Sequence, residues 1–354
     1  MTVRATDWTD ARALAWWHGC YTAGSLYRNT FFQSPEWVLT WKRHYVDTHP
    51  RREALLLTAE EQGRLIALAP LFLHTRHFGP FRGWRSLHLM GERLAQYPDI
   101  VTDAAVPEAV WTAILGYLED TYPDAWLEIR DALPESTAFG LSGVVAEEGE
   151  CYLRLPLRGL TPETLETSAT DHMRRELSRA RNRLATDATW HWEFTTAPDE
   201  AVLSALILLN RQRFGSASWF EDAASQSFFL DLCAVAGGES WCAVLRHEGM
   251  IVSILMGHTH GDSMLYLLSG MDTQYRSLSP GTMNLGRTIA HAAASGYAYF
   301  DFLRGEEAYK REFHPEERLS RHLLRVPPAA RFRKHVADSA RRLFVRAERK
   351  RRNA

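Results

Sequence analysis

The chain has 354 residues, with 45% hydrophobic and 24% charged residues and a formal net charge of −2. That composition is globular and excludes a disordered or fibrous chain, and the length favours two domains. No apolar run approaches the roughly 20 residues of a membrane-spanning helix, and the first residues lack the apolar segment of a signal peptide. The four cysteines are scattered without Cys-x-x-Cys spacing, which indicates reduced thiols. We therefore expect a cytoplasmic protein.

The N-terminal half shows, in order, two strands joined by a glycine-containing turn, a third strand, a helix and a further strand. Alternation of apolar and polar residues predicts the strands, and apolar residues at a period of 3.6 predict the helix. The five segments are EALLLTA, RLIALAPLFLHT, WRSLHLM, PEAVWTAILGYLEDTY and AWLEIRD.

The C-terminal half repeats this order with clearer signals. Thr170 predicts the N-cap of a helix, DHMRRELSRARNRLAT, and a strand and two helices follow. Three strands, WCAVLRH, MIVSILMGHTH and SMLYLLSGM, then form a meander, and the helix TMNLGRTIAHAAAS leads to the strand YAYFDFL. In this alignment of the halves Glu128 falls where Asp301 falls. We predict an α+β fold of two tandem units, residues 1–150 and 151–328, followed by a tail, residues 329–354.

The tail is strongly basic. From Arg331 onward ten Lys and Arg residues accompany two acids, a local charge of +8, which leaves about −10 for the rest of the chain. Apolar residues at helical spacing within residues 331–352 predict a basic amphipathic helix. Such a helix lies on an anionic membrane surface or on a partner, or forms a solvated chain end, so a membrane-peripheral location stays open. The acidic remainder argues against nucleic acid as the main partner.

The segment SLSPGTMNLG, residues 277–286, opens the last long helix with a first turn almost bare of side chains. Ser279 is a favourable N-cap, Pro280 suits the first helical position, and Gly281 leaves the free N–H groups open to a ligand. These N–H groups and the positive end of the helix dipole favour a phosphate. A capped helix without a ligand has the same local sequence, so the surrounding elements must decide between the two.

Those elements follow the order of GNAT-type N-acyltransferases. The chain from YLLSGMDTQ to AYKREF is similar to the tandem GNAT proteins described as CelD-like, which are commonly identified as cellulose-biosynthesis acetyltransferases and are related to the FemAB peptidyltransferases. The resemblance covers roughly residues 30–325, with one departure at Phe214, where a Trp is expected. The shared motifs are Gly-x-Asp at 270–272, Ser-Pro-Gly-Thr at 279–282, Phe-Asp-Phe-Leu-Arg-Gly at 300–305 and Tyr-Lys at 309–310.

The resemblance implies two GNAT-like units, each a mixed, mostly antiparallel sheet flanked by helices. In this fold the fourth and fifth strands part, and the pantetheine arm of acyl-CoA fills the gap, here between SMLYLLSGM and YAYFDFL. An amine then attacks the thioester carbonyl directly. We expect the phosphates of acyl-CoA on Ser279, Gly281 and Thr282, and an oxyanion-binding N–H at Leu268 or Ser269.

Proton transfer is assigned to residues on and after the last strand of the motif. Asp301 is the predicted general base or ligand of the acceptor amine, and Tyr309 is the predicted proton donor to the leaving thiolate. The alternative for Asp301 is a structural carboxylate that pairs with Arg304 or caps the following turn. Lys310 is a predicted catalytic residue that binds an anionic group. The predicted substrate-binding residues are Arg304, Glu306 and Glu128.

The predicted function is an N-acyltransferase that moves an acyl group, with acetyl as the expected one, from acyl-CoA to a small-molecule amine on a sugar, an amino acid or an envelope or exopolysaccharide precursor. Two alternatives stay open: a FemAB-like transferase that uses aminoacyl-tRNA, and a non-catalytic partner of an exopolysaccharide machine. His258 and His260 share one strand face at a spacing that suits zinc, but no third ligand is evident, so we predict no metal.

Overall fold

The computed structural model describes residues 1–24, 30–78, 81–92, 94–103, 107–141 and 143–328. The predicted basic tail, residues 329–354, lies outside the described residues. Contacts within the described chain define two compact units, one of Met1–Gly149 with residues 320–328 and one of Glu150–Leu319. Within the described ranges, no helix combines the length and the apolar character needed to cross a membrane.

The described part of the first unit contains three α-helices and a mixed sheet. Its elements are β1 (Thr2–Thr6), α1 (Ala11–Thr22), α2 (Pro35–Tyr45), β2 (Arg52–Glu61), β3 (Arg64–Phe78), β4 (Phe81–Leu89), β5 (Val101–Thr102), α3 (Pro107–Thr121) and β6 (Ala125–Ala132). Antiparallel pairing joins β1 to β2, β2 to β3 and β3 to β4, whereas β4 and β6 run parallel. Helix α3 packs its buried face on this sheet, as its period of 3.6 predicts.

The second unit repeats this arrangement. Its elements are β7 (Val145–Pro156), α4 (Pro162–Ser168), α5 (Asp171–Thr186), β8 (Trp190–Thr195), α6 (Glu200–Phe214), α7 (Ala223–Val235), β9 (Ser240–His247), β10 (Met250–His260), β11 (Ser263–Met271), α8 (Pro280–Ala294), β12 (Tyr299–Arg304) and α9 (Ala308–Arg311). The sheet order is β7, β12, β11, β10, β9, β8. Antiparallel pairs predominate, and β11 and β12 run parallel. A mixed, mostly antiparallel sheet in each unit is what the sequence predicts.

Two strands pair differently from their order in the chain. Strand β7 follows β6 in sequence but pairs with β12, and β13 (Glu316–Arg325) follows β12 but pairs with β6. The predicted second unit, residues 151–328, includes residues 320–328, whereas contacts in the structure group them with the first unit. The reason is the pairing of β13 with β6, which buries Leu323 in the core of the first unit.

Candidate active site

Strands β11 and β12 part within the second unit. They pair in parallel at three positions, from Ser263 with Tyr299 to Leu265 with Asp301, and β11 then continues to Met271. The other edge of β11 stays paired to β10 through a bulge, because Gly257 pairs with Tyr266 and the preceding Met256 with Leu268. A Cβ on Gly257 would lie 1.8 Å from the Leu265 carbonyl oxygen, so this close approach requires glycine. The result is a gap on the β12 side of β11.

Strand β12 forms the other side of the gap and is itself bulged. Asp301 pairs with Arg154 of β7, and Leu303 pairs with the next residue, Leu153, so Phe302 is the extra residue. Leu303 adopts φ 59°, a left-handed conformation that is uncommon for a bulky residue. Its N–H donates to the Asp301 Oδ1 atom at 2.8 Å, and this hydrogen bond stabilises the bend.

The Asp301 carboxylate is buried, with 3% of the residue exposed. While Oδ1 accepts from Leu303, Oδ2 lies 3.9 Å from the Arg318 Nη1 atom. The structure therefore gives Asp301 the turn-capping contact that the sequence left open as its structural alternative. Its role as general base stays a prediction.

Lys310 is a buried cation that holds the chain after β12. Its Nζ atom donates to the carbonyl oxygens of Phe302 at 3.1 Å and Arg304 at 2.9 Å, and lies 2.8 Å from a Glu307 carboxylate oxygen. Burial lowers the pKa of Lys310, and the hydrogen bond to Glu307 opposes that shift. These contacts place a positive charge directly behind the β12 bulge.

Tyr309 contacts β11 across the gap. Its side chain forms a hydrogen bond with Tyr266, the first residue of β11 beyond the last pair with β12. Burial, and then the neighbouring Tyr266, raise the pKa of Tyr309 well above its ordinary value. The Tyr309 hydroxyl therefore keeps its proton at neutral pH.

The far end of β11 is fixed by α6. The Ser269 carbonyl oxygen accepts from Asn210 Nδ2 at 2.6 Å, and Ser269 Oγ accepts from Arg213 Nη1 at 3.3 Å. A Cβ on Gly270 would lie 2.7 Å from the Leu209 Cβ atom, so the glycine of the Gly-x-Asp motif lets α6 approach the strand. Leu268 lies beside Ser269 and is buried.

Helix α8 begins with an uncovered turn. Ser279 occupies the N-cap position but has φ 51° and ψ 46°, so its side chain makes no capping hydrogen bond, contrary to the expectation for an N-cap serine. The Arg183 Nη1 atom instead holds the preceding loop by donating to the Leu278 carbonyl oxygen at 3.0 Å. Gly281 has room for a side chain, since the nearest atom to an added Cβ is Met271 Sδ at 3.5 Å. Packing therefore does not require glycine there, and Gly281 is partly exposed.

The predicted substrate-binding residues are dispersed. Arg304 ends β12, and Glu306 is exposed and paired with Arg311 on the surface. Glu128 lies in the first unit, where its pair with His88 ends the parallel β4–β6 ladder, as the pair of Leu265 and Asp301 ends that of β11 and β12.

Side chains close this point of the first unit. The Glu128 carboxylate accepts from Arg130 at 2.5 Å and lies 3.1 Å from His322 Nε2. Burial raises the pKa of Glu128, but hydrogen bonding to His322 and the charges of His88 and Arg130 outweigh burial and lower the pKa strongly. The adjoining cavity measures about 10 Å³, room for one water molecule at most. Glu128 is therefore held as an ionised structural carboxylate, and its substrate-binding role stays a prediction.

The two histidines of β10 have protein partners. The His258 Nδ1 atom lies 3.2 Å from Ser240 Oγ, and His260 Nδ1 lies 3.5 Å from Glu239. Among the residues that the structure describes, no three His, Cys, Asp or Glu side chains are arranged to hold a metal ion.

Three residues at the gap were not singled out from the sequence: Tyr266, Asn210 and Arg213. Tyr266 is identified by the position at which β11 and β12 part, and a prediction of the strands alone does not give that position. Asn210 and Arg213 lie on α6, whose polar positions at a spacing of three are an available signal.

Comparisons with known proteins agree with this geometry. Residues 171–311 match the family model described as acetyltransferase (GNAT) domain. No sequence among the curated proteins matches the chain.

Solved structures match over nearly the whole chain. The crystal structure of FemX aligns with a TM-score of 0.61 at 13% identity, covering 91% of this chain and 97% of FemX. A conserved protein of unknown function from Bacteroides thetaiotaomicron VPI-5482 gives 0.58 at 12% identity, with 92% and 100% covered. The C-terminal domain of a putative lysylphosphatidylglycerol synthetase from Agrobacterium fabrum gives 0.55 at 14% identity, with 92% and 96% covered. At these identities the likeness concerns the fold alone.

The predicted fold class is thereby confirmed: the protein has the GNAT fold, a mixed sheet flanked by helices. Its second unit contains a GNAT-type acetyltransferase domain within residues 171–311.

Proposed function

We propose that the second unit is an acyl-CoA-dependent N-acyltransferase, with acetyl-CoA as the expected donor. The proposal rests on one observation: β11 and β12 part after the pair of Leu265 and Asp301. Helix α8 packs against both strands. A strand-wide gap accepts an extended pantetheine arm, because its amide groups can replace the missing strand's hydrogen bonds. The match of residues 171–311 to an acetyltransferase domain supports this assignment.

The start of α8 is the proposed phosphate site. The N–H groups of Gly281 and Thr282 lie in the first turn, where they have no intrahelical acceptor, and the helix dipole adds partial positive charge. Ser279 supplies a hydroxyl that does not cap the helix. These features fit the pyrophosphate of CoA.

The proposed reaction is a direct transfer. The lone pair of an amine forms the C–N bond at the thioester carbonyl, the C–S bond breaks, and the amine proton leaves. A backbone N–H of Leu268 or Ser269 stabilises the oxyanion, and the Tyr309 hydroxyl protonates the departing thiolate. Lys310 positions the β12 bulge and adds positive charge near the developing negative charge. Asp301 is the proposed proton acceptor or amine ligand.

We propose as acceptor a small-molecule amine on a sugar, an amino acid or an envelope or exopolysaccharide precursor, after the resemblance to CelD-like proteins, with Arg304 and Glu306 as its ligands. Membrane contact through residues 331–352 belongs to the same proposal. A FemAB-like transfer from aminoacyl-tRNA is the alternative, in view of the likeness to FemX. The charge of about −10 on the chain before Arg331 speaks against a tRNA-binding surface.

Thermal unfolding of the full chain with acetyl-CoA, CoA and a panel of longer acyl-CoA thioesters tests the proposal. A ligand that binds only the folded state stabilises it by about 2.7 kcal/mol at a ligand concentration one hundred times Kd. The melting temperature therefore rises. We expect acetyl-CoA to act and a CoA fragment without the pyrophosphate to fail. A melting temperature that no thioester changes contradicts the proposal. Stabilisation by aminoacyl-tRNA alone favours the alternative.

A further inference from the structure

A second cavity lies in the same unit, away from the gap. It measures about 360 Å³ and is lined by residues of α4, α5, β8 and α8. Strand β8 is the edge of the sheet and is separated from β11 by β9 and β10. The cavity is therefore distinct from the gap between β11 and β12.

The interior of the cavity is apolar, and the helices that line it are closely packed. Leu177, Trp190 and Met283 line it and are buried. A Cβ on Gly286 would lie 2.2 Å from Leu177 Cδ2, so the glycine lets α5 and α8 approach each other. The Trp192 indole is fixed because its N–H donates to Asn284 Oδ1 at 3.0 Å. These contacts preform the shape that a ligand would otherwise have to induce.

The rim carries an unbalanced positive charge. Glu166 and Arg181 pair at 3.3 Å and offset each other. Arg287 is exposed, with its guanidinium carbon 5.3 Å from the centre of the Trp192 ring, and no ion pair joins it to a carboxylate in the described part of the chain. His191 is also exposed and lines the same cavity. A ligand that enters here therefore meets apolar walls and one available cation.

We propose that this cavity binds a small amphipathic carboxylate, with its apolar body against Leu177, Trp190 and Met283 and its negative charge at Arg287. An engineered cavity of about 150 Å³ takes up benzene, so this volume suits an apolar body of roughly ten to twelve carbon atoms. Small-molecule sites have this construction of apolar lining with few polar groups. The inference does not depend on acyl transfer.

The probe is 2-naphthoate, titrated into the full chain by calorimetry and by ligand-observed NMR. A ligand of this size is expected to bind with a Kd on the order of 1 mM or tighter. The cationic isostere 2-naphthylmethylammonium is expected to bind at least about tenfold more weakly, because it meets Arg287 with the same charge.

Three variants locate the binding. Arg287→Gln is expected to weaken 2-naphthoate about tenfold and to leave neutral 2-naphthamide unchanged. Ala185→Trp, at the exposed edge of the cavity, is expected to abolish binding of both, whereas Leu208→Trp, at an exposed position of α6, leaves both unchanged. Thermal unfolding checks that each variant is folded. If Ala185→Trp does not fold, the charge-selective effect of Arg287→Gln decides alone.

Absence of saturable binding at about ten times the expected Kd overturns the proposal. So does binding that Arg287→Gln leaves unchanged, or that Leu208→Trp weakens as much as Ala185→Trp does.

Discussion

The buried carboxylate of Asp301 fits two roles, a general base and a cap of the turn that follows it. Its Oδ1 atom accepts a hydrogen bond from the Leu303 N–H, and its Oδ2 atom lies near Arg318. The Asp301 charge also acts to raise the pKa of Lys310. A capping role needs only an acceptor oxygen, whereas a general base needs a group that takes up a proton. The two roles therefore predict different tolerance of an amide.

The pair Asp301→Asn and Asp301→Ala separates these roles. If Asp301 is the base, both variants lower kcat by about 10²–10⁴-fold, since neither side chain accepts the amine proton. If Asp301 only caps the turn, Asn keeps the acceptor oxygen and most of the activity, and Ala loses both activity and stability. Steady-state kinetics and thermal unfolding with acetyl-CoA as donor measure this difference. We expect loss of turnover in Asp301→Asn with binding of acetyl-CoA retained.

At this scale the sequence identifies residue types but not their partners. Asp301 and Lys310 both contact the β12 bulge, and Tyr309 contacts Tyr266 of β11. Tyr266 and Arg213 could not be placed from sequence, because their nearness to Tyr309 depends on how α6 and β11 meet in three dimensions.

Glycines at the element scale have two different causes. Gly257 and Gly270 are fixed by packing, since an added Cβ would lie 1.8 Å and 2.7 Å from neighbouring atoms. Gly281 has no such neighbour, and its first contact would be a flexible Met271 sulfur at 3.5 Å. The proposed phosphate site gives a functional reason for glycine at this position.

Gly281→Asp tests this reason. The carboxylate lies at the positive end of α8, where an acid stabilises a helix by about 0.3–1 kcal/mol, so the melting temperature is expected to hold or rise. Acyl-CoA binding is expected to weaken more than tenfold, because the new charge repels a phosphate. Gly281→Asn is the matched control, as it adds nearly the same volume without the charge. A loss of stability in Gly281→Asp, or unchanged acyl-CoA affinity, contradicts the assignment of this turn.

The sequence predicts most elements of both units because their patterns are local. The hairpin of β9 and β10, for example, turns at Glu248 and Gly249, both in left-handed conformations, as the Glu-Gly pair indicates. Strands β7 and β13 escape prediction because VAEEGE and EERLSR are largely charged and lack clean alternation. Only pairing with distant strands makes these segments regular.

The whole molecule depends on that distant pairing. Leu323 lies at the end of the described chain, yet only 1% of it is exposed, and it belongs to the apolar core of residues contributed by β2 to β6. Leu319, four positions earlier, is 55% exposed. The final strand therefore contributes to the stability of the first unit.

Leu323→Ala is expected to lower the free energy of unfolding by about 2–5 kcal/mol, the cost of a cavity in a packed core. Leu319→Ala, the same change at an exposed site of the same strand, is expected to stay within about 0.5 kcal/mol. Urea unfolding of both variants measures the contrast. Equal and small effects would mean that residues 320–328 form a loosely attached end.

Acid is expected to destabilise the folded chain through its buried histidines. Burial lowers the pKa of His258 from 6.5 to about 3, and burial followed by nearby arginines lowers that of His74 to about 3. Below pH 6.5 the unfolded chain binds a proton at each site that the folded chain does not, so the free energy of unfolding falls until the pH reaches about 3. For His258 alone the loss is about 2 kcal/mol between pH 7 and about pH 5.

Urea unfolding across this range should show a shallower pH dependence for His258→Asn, whatever its stability at pH 7. An unaltered slope in His258→Asn would show that this imidazole takes up its proton in the folded state.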